Sequence, residues 1–494
     1  MANLYYDASR FLLPLLFAAY TVVSLIALPG YFKRKRVTKD AFQYIMLFLL
    51  HLCAYLVIAL QRQNVFYLLF FAIQQFVFIV ILNLYKILYP GFNRPLINHI
   101  FALISVGMIM LSRLSDEKAI KQFVIISVSL ALSLVIPFII RKFKMLRNWT
   151  YLYAGLSIGL LLIVCVLGTA TNGSKISYAI FGITFQPSEF VKILFILFLA
   201  SICARGVKLA NIGIATLVCL INVGILVFSK DLGTAAIFFV TYLVVIFVAS
   251  GKFRYLLGGI LLAGGAAALS YKLFYHVKVR VIAWLDPFSD YTGKGYQISQ
   301  SLFAISTGGW FGMGLCQGMP GSIPFVEQDF IFSAIAEELG IVFSLCFILC
   351  CVCVFLIGMS IAYHVQNKFY KYTAVGISIT YIFQVFLTIG GGTKFIPLTG
   401  VTLPFVSYGG SSVMSTIFMF AILQGISIAA RSEAGLIEEE IDEELEDEET
   451  ISLDGLEELE DDEDADFYLV TNSFLLPVSE EYSMTVKLKK KGEK

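Results

Sequence analysis

Long apolar runs recur along this chain at near-regular intervals, and they leave it little choice of fold. About thirteen of them approach the ~20 residues that an α-helix needs to cross a bilayer: 11–29, 42–60, 65–86, 96–112, 121–140, 149–169, 189–204, 208–228, 231–249, 255–273, 331–358, 372–390 and 405–429. Only helices and closed barrels satisfy their backbone groups in lipid. Continuous runs of this length, without alternation of period two, predict helices. The composition, 58% hydrophobic and 14% charged over 494 residues, is far outside the range of a water-soluble domain. The first run is too long for a cleaved leader and is followed by Lys33, Arg34, Lys35 and Arg36. The fold class is therefore an all-α polytopic membrane protein.

Orientation follows from the basic residues of the short loops. Residues 33–39, Lys86 with Arg94, residues 141–147, Arg205 with Lys208, Lys252 with Arg254, and Lys368 with Lys371 all fall on one side. The opposite loops, such as 61–64, 229–231 and 390–393, are poorer in charge. The basic side is expected to be cytoplasmic. The N-terminus and the long polar stretch 274–330 then lie outside, and the tail after Arg431 inside. That tail carries acidic runs at 438–449 and 457–466 and a basic end at 487–494; blocks of like charge predict disorder, with residues 467–486 as an alternative binding segment. The formal net charge of +1 averages a basic membrane part against this tail and points to no nucleic-acid partner. Eight of the nine cysteines lie in or beside apolar runs and read as packing residues, including the cluster 346–353. Cys316 stands alone in the polar stretch.

Four polar constellations lie at the expected outer boundaries. In residues 185–192, FQPSEFVK, Pro187 suits a first helical turn and Ser188 offers a capping oxygen. Glu189 and Lys192 are three apart and share a helix face, as a structural ion pair or as the lining of a polar cavity. Asp231, after Lys230 and before Leu232-Gly233-Thr234, opens a helix and reads as its cap. Residues 394–400, KFIPLTG, beginning at Lys394, and 404–412, PFVSYGGSS, place prolines and glycines at membrane depth. Such irregular backbone is tolerated only against protein or a water-filled cavity.

The fourth constellation is the outer stretch itself. Residues 296–307 have the spacing of an amphipathic helix on the membrane surface, and Gly308, Gly309, Gly312 and Gly314 predict a flexible loop after it. Glu327 and Asp329 then come immediately before an apolar helix starting at Phe330, with Glu337 and Glu338 two turns on. A carboxylate at such a boundary, partly desolvated and so more basic, is either a cap or a group in contact with substrate. Arg280 is the strongest fixed cation of the same region; with Lys272, Lys278 and Lys294 it suits a lipid phosphate or pyrophosphate, or simply headgroups.

Together these segments resemble the SEDS family of bacterial cell-wall proteins, represented by FtsW, RodA and SpoVE. The resemblance rests on FQPSEFVK at 185–192, DLGTA at 231–235, LDPFSDYTGKGYQISQS at 285–301, DFIFSAIAEELG at 329–340, and PLTG with LPFVSYGGSS between 397 and 412, in the family's order. Departures are the absence of a tryptophan after Asn172-Gly173, Lys230 in place of a usual proline, and Phe325 in place of a frequent glutamate. The resemblance implies a SEDS-type ten-helix core over 96–430, with its large outer loop at 274–330 between the tenth and eleventh helices of this chain. Residues 1–95 would add about three transmembrane helices, and 431–494 a cytoplasmic tail.

The activity implied is that of a glycosyltransferase of the bacterial cytoplasmic membrane. It would polymerise lipid II onto a growing glycan strand beside a class B penicillin-binding protein and other elongation or division proteins. The family's essential loop acid falls on Asp329, its Glu/Lys pair on Glu189 and Lys192, its loop arginine on Arg280 and its DLGT acid on Asp231. Lys394 and Ser188 are further candidates for substrate contact. Asp329 would act as general base or hold a divalent cation, Mg or Mn. Rival readings are a lipid II flippase, which calls for acids and cations spread through the bilayer, and a non-catalytic scaffold.

Overall fold

In the computed structural model, residues 2–32, 40–89, 91–171, 174–180 and 183–432 are described. Helices α1 (Ala2–Phe32), α2 (Asp40–Arg62) and α3 (Phe66–Leu88) form the N-terminal group. They are followed by α4 (Arg94–Leu114), the pair α5 (Asp116–Ser133) and α6 (Val135–Lys142), and α7 (Thr150–Leu167). Next come α8 (Pro187–Ala204), α9 (Leu209–Phe228), α10 (Leu232–Ser250) and α11 (Phe253–Leu273). The polar stretch contributes α12 (Tyr275–Leu285) and α13 (Tyr296–Gly308). The last spans are α14 (Ile331–His364), α15 (Lys368–Gly392) and α16 (Gly410–Ser432). Twelve of the described helices are long and apolar enough to cross a membrane, with residues 150–166 as a shorter thirteenth. A small antiparallel sheet, β1 (Thr169–Thr171), β2 (Ser174–Ile180) and β3 (Ile183–Phe185), joins α7 to α8. The acidic tail and the segment 467–486 lie outside the described residues.

Position in the bundle decides what each helix buries. The spanning window of α4 is wholly buried, because α2, α5 and α14 all pack on it. At the other extreme, α11 has no buried residue and turns side chains such as Leu261 (70% exposed) outward. Apolar faces of that kind belong against lipid.

The sequence predicts one helix through 331–358, but α14 is broken at Gly340. There φ is 83° and ψ 177°, a conformation open essentially to glycine alone. The break separates the amides of Ile341 and Val342 from the carbonyls of Glu337 and Glu338, their partners in a regular helix. The segment after α13 supplies replacements. Ile341 N donates to Gly309 O at 2.9 Å and Val342 N to Trp310 O at 3.1 Å, while Glu337 O and Glu338 O accept from Met313 N and Gly314 N, each at 2.9 Å. Two helical bonds are thus exchanged for four tertiary ones. The glycines at 308–314, which predict a flexible loop, serve instead as a wedge. The preceding helix, α13, also differs from a surface-lying helix: Ile298, Ser299, Ser301 and Ala304 are buried and it packs mainly on α14.

Candidate active site

The segment between α15 and α16, residues 393–409, ties the polar motifs together. Gln384 Nε2 of α15 donates to Thr402 O at 3.0 Å, and Thr388 Oγ1 to Val401 O at 2.9 Å. Gly233, in the first turn of α10, approaches so closely that a Cβ there would stand 3.2 Å from Thr399 O. Arg280 Nη1 donates to that same carbonyl at 3.1 Å. Trp284 Nε1 donates to Lys394 O at 3.1 Å, and Tyr408 N to Glu327 O at 2.7 Å. Elements far apart in sequence therefore meet on one irregular strand of backbone. The prolines and glycines of the segment foretell that irregularity.

Glu189 and Lys192 sit in the first turns of α8, which opens with Pro187. Their side chains pair at 2.7 Å and are only 7% and 2% exposed. Lys192 Nζ also donates to Gln384 Oε1 at 2.9 Å, and Ser415 Oγ to Glu189 Oε2 at 3.1 Å. A buried pair needs such additional bonds to offset its loss of hydration. Ser188 does not cap the helix as its position suggests. The N-cap residue is Gln186, with no side-chain cap, and Ser188 Oγ accepts from Gln186 Nε2 at 3.0 Å. Proline at the first position already removes one of the amides that a cap would serve.

Asp231 does cap α10, accepting from Thr234 N on Oδ1 at 3.1 Å. Its Oδ2 is buried without a hydrogen-bond partner. Burial pushes its carboxyl above the ordinary range; Thr234 opposes this, and Glu189 and Lys192 are near enough to act in opposite senses.

Asp329 stands two residues before α14, at the end of a turn in which its amide donates to Phe325 O at 3.2 Å. Phe325 has a φ of 57°, so a departure from the family pattern falls on a left-handed backbone position. Asp329 as a residue is partly exposed, and among the described residues no side-chain hydrogen bond reaches its carboxylate. Burial raises it from 3.8 to about 6; Arg280 holds it down and Glu327 pushes it up. Glu327 itself is committed to Lys118, whose ammonium also lies 5.8 Å from the centre of the Tyr408 ring. Arg280 is lowered from its usual value by burial, with Asp329 and Asp231 opposing. Lys272, Lys278 and Lys294 are exposed and share none of the bonds that hold Arg280. Lys394 is half-buried with a φ of 61°.

Three participants carry little signal in the sequence. His276 lies one helical turn before Arg280, with Nε2 buried and unpartnered, and is lowered by burial and by Arg280 and Lys230. Its spacing of four from Arg280 is the only clue. Thr399 Oγ1 is likewise buried without a partner. Glu338, which the sequence places with Glu337 two turns into the apolar run, is paired with Arg113 at 3.0 Å.

The donor set also bears on a metal. No group of three or more His, Cys, Asp or Glu side chains gathers among the described residues, so a cage made by protein alone does not fit. A divalent ion shared with phosphate oxygens of a substrate would need only one carboxylate from the protein, and Asp329 would be that share. Such an ion would supply charge to a leaving phosphate.

Helices enough for a thirteen-span bundle, with buried acids and cations converging on one irregular segment at its rim, define a polytopic membrane protein of enzymatic character. The sequence model of FtsW, RodA and SpoVE, described as cell cycle protein, matches residues 94–432. The chain belongs to this family. It is 34% identical to the peptidoglycan glycosyltransferase RodA of Mycobacterium tuberculosis, over 69% of this chain and 80% of that one. It is 30% identical to a probable peptidoglycan glycosyltransferase FtsW of Pseudomonas fluorescens, over 71% and 91%. Among solved structures it resembles a chain from a peptidoglycan synthase complex that coordinates polymerization and crosslinking. The TM-score is 0.59 and the identity 26%, over 69% of this chain and 98% of that one. The Thermus thermophilus RodA structure shares the fold, with a TM-score of 0.52 and 23% identity, over 68% and 97%.

Proposed function

We infer that this chain is a peptidoglycan glycosyltransferase of a bacterial cytoplasmic membrane, and that it polymerises lipid II with Asp329 as its general base. The observation that carries the residue assignment is an acid with no side-chain hydrogen bond among the described residues, raised to about 6 and flanked by Arg280. A sugar hydroxyl is a poor nucleophile until its proton is taken. Asp329 accepts the proton of the acceptor's N-acetylglucosamine 4-hydroxyl as that oxygen bonds to the anomeric carbon of the donor's N-acetylmuramic acid. The bond from that carbon to undecaprenyl pyrophosphate breaks on the opposite face, so the α-linked donor becomes a β-1,4 link. Arg280 supplies positive charge to the departing pyrophosphate.

The site then lies on the extracytoplasmic side, where the alternation of basic loops puts residues 274–330. Residues 96–430 form the catalytic core, residues 1–95 an added group of helices, and residues 431–494 a cytoplasmic tail. A class B penicillin-binding protein is the expected partner, because a chain of a complex uniting polymerization with crosslinking is similar to this one. Gathering of the polar motifs around residues 393–409 favours transfer over lipid flipping, which needs such groups at both faces of the bilayer. Purified Asp329→Ala protein that is folded and still binds its partner tests the assignment. Loss of glycan polymer from lipid II is expected, and undiminished polymer overturns it.

A further inference from the structure

We propose that the three N-terminal helices, which precede the family-matched stretch, act as a positioning brace for Asp329 through the broken helix at Gly340. This rests on the catalytic reading of Asp329. The brace has two arms. Along α1 the residues Leu13, Phe17, Tyr20, Thr21 and Ser24 form one buried stripe, three or four apart. This helix packs chiefly on α14 and α2. Phe17 stacks on Phe343, just beyond the break, at 4.4 Å between ring centres. Six residues earlier Phe11 meets Phe311, in the wedge itself, at 5.2 Å. One helix thus grips both partners of the splice.

The second arm starts at the end of α2. Arg62 Nη2 donates to Arg113 O at 3.3 Å; Arg113 in turn donates from Nε to Glu338 Oε1 and from Nη2 to Gly318 O, both at 3.0 Å. The carboxylates of Glu338 and Glu337 accept from Cys316 N at 3.1 Å and Met319 N at 2.7 Å. The chain from wedge to the turn bearing Asp329 is therefore pinned to the short helix before the break. Polar contacts in the apolar interior fix the extension's register on α4. Tyr55 and Ser112 hydroxyls lie 2.9 Å apart, and Asn98 Nδ2 donates to Gln43 Oε1 at 3.3 Å. A helix serving only to anchor the chain in lipid would not need contacts on both sides of the splice.

The test uses the full-length protein. Hydrogen–deuterium exchange of peptides covering 309–319 and 331–343 is compared between wild type, Phe17→Ala and Phe343→Ala, alongside lipid II polymerisation kinetics. For each variant, amides at the splice should exchange about tenfold faster while those of α8 and α10 are unchanged. Turnover should fall about tenfold, with KM within about twofold, as expected for a misplaced catalytic group. The double variant should be no worse than the weaker single, because both break one contact. If Phe17→Ala fails to fold, Phe17→Leu, which keeps bulk but loses the ring stack, is judged by the same readouts. Splice exchange and turnover like wild type in a folded variant overturn the brace. Asp329→Ala run in parallel separates the two readings: full activity there, with the splice still opened by Phe17→Ala, sinks the catalytic assignment and leaves the mechanical link standing.

Discussion

Arg280 Nη2 and Asp329 Oδ2 converge on Gly400: a Cβ on that glycine would stand 3.7 Å from each. Guanidinium and carboxylate make no direct ion pair, yet each alters the other's protonation. An acid that is desolvated but not tied up is a base held ready. A cation beside it keeps the base ionised at neutral pH while remaining available to a phosphate.

The pH dependence follows from this arrangement. Asp329 must be unprotonated to accept a proton, and burial has raised it to about 6. Polymerisation should therefore be steady above pH 7 and fall about tenfold per unit below pH 6. Since Arg280 holds that value down, Arg280→Gln should shift the acid limb upward as well as lower the maximal rate. Rate profiles from pH 5 to 8 check both. An acid limb that does not move in Arg280→Gln contradicts the electrostatic coupling.

Gly400 has a φ of 78°, and its missing Cβ leaves room between the two charged groups. In Gly400→Ala the backbone strain should cost about 1–2 kcal/mol. The methyl group should also crowd the space where reacting groups meet. Turnover should accordingly fall by more than the loss of thermal stability explains, with total helix content unchanged by circular dichroism. A variant with full activity and lowered stability would leave Gly400 a purely conformational position.

The Glu189–Lys192 pair makes a prediction of a different kind. Lys192→Met strands a buried carboxylate and should destabilise the bundle by about 3–5 kcal/mol. Adding Glu189→Gln should restore much of that loss, since neither charge is then left alone. Thermal unfolding in detergent measures both. Activity should not recover with stability, because Lys192 also holds Gln384, which anchors Thr402 of the central segment.

Much of this is legible in the amino-acid sequence alone. Apolar runs mark the spans because lipid admits no other reading, and Asp231 caps α10 as its position before Leu232 foretells. Polar residues at the rims mark Glu189, Lys192, Arg280 and Asp329 as candidates. What sequence spacing does not carry is tertiary exchange. Nothing local reveals that Glu338 is paired with an arginine 225 positions earlier, that Ser188 serves Gln186 rather than a helix end, or that Gly340 breaks an apolar run. Two acids, Glu337 and Glu338, precede the break and uncharged residues follow it, but hydropathy alone reads 331–358 as one continuous span.

That break should be among the least forgiving positions in the outer region. A Cβ on Gly340 would lie 2.3 Å from Gly312 N and 2.5 Å from Phe311 C, both backbone atoms that cannot swing aside. Its dihedral angles add roughly 1–3 kcal/mol of strain for any other residue. Gly340→Ala should expel the wedge, so that the helix closes its own bonds from Ile341 and Val342 to Glu337 and Glu338. The amides of Met313 and Gly314 then lose protection and polymerisation falls to background, while the spans remain inserted. Gly264→Ala in α11, where a Cβ meets nothing within 4 Å, is the matched control and should behave as wild type. Protected wedge amides in an active Gly340→Ala protein would show that the splice tolerates a side chain and does not govern the site.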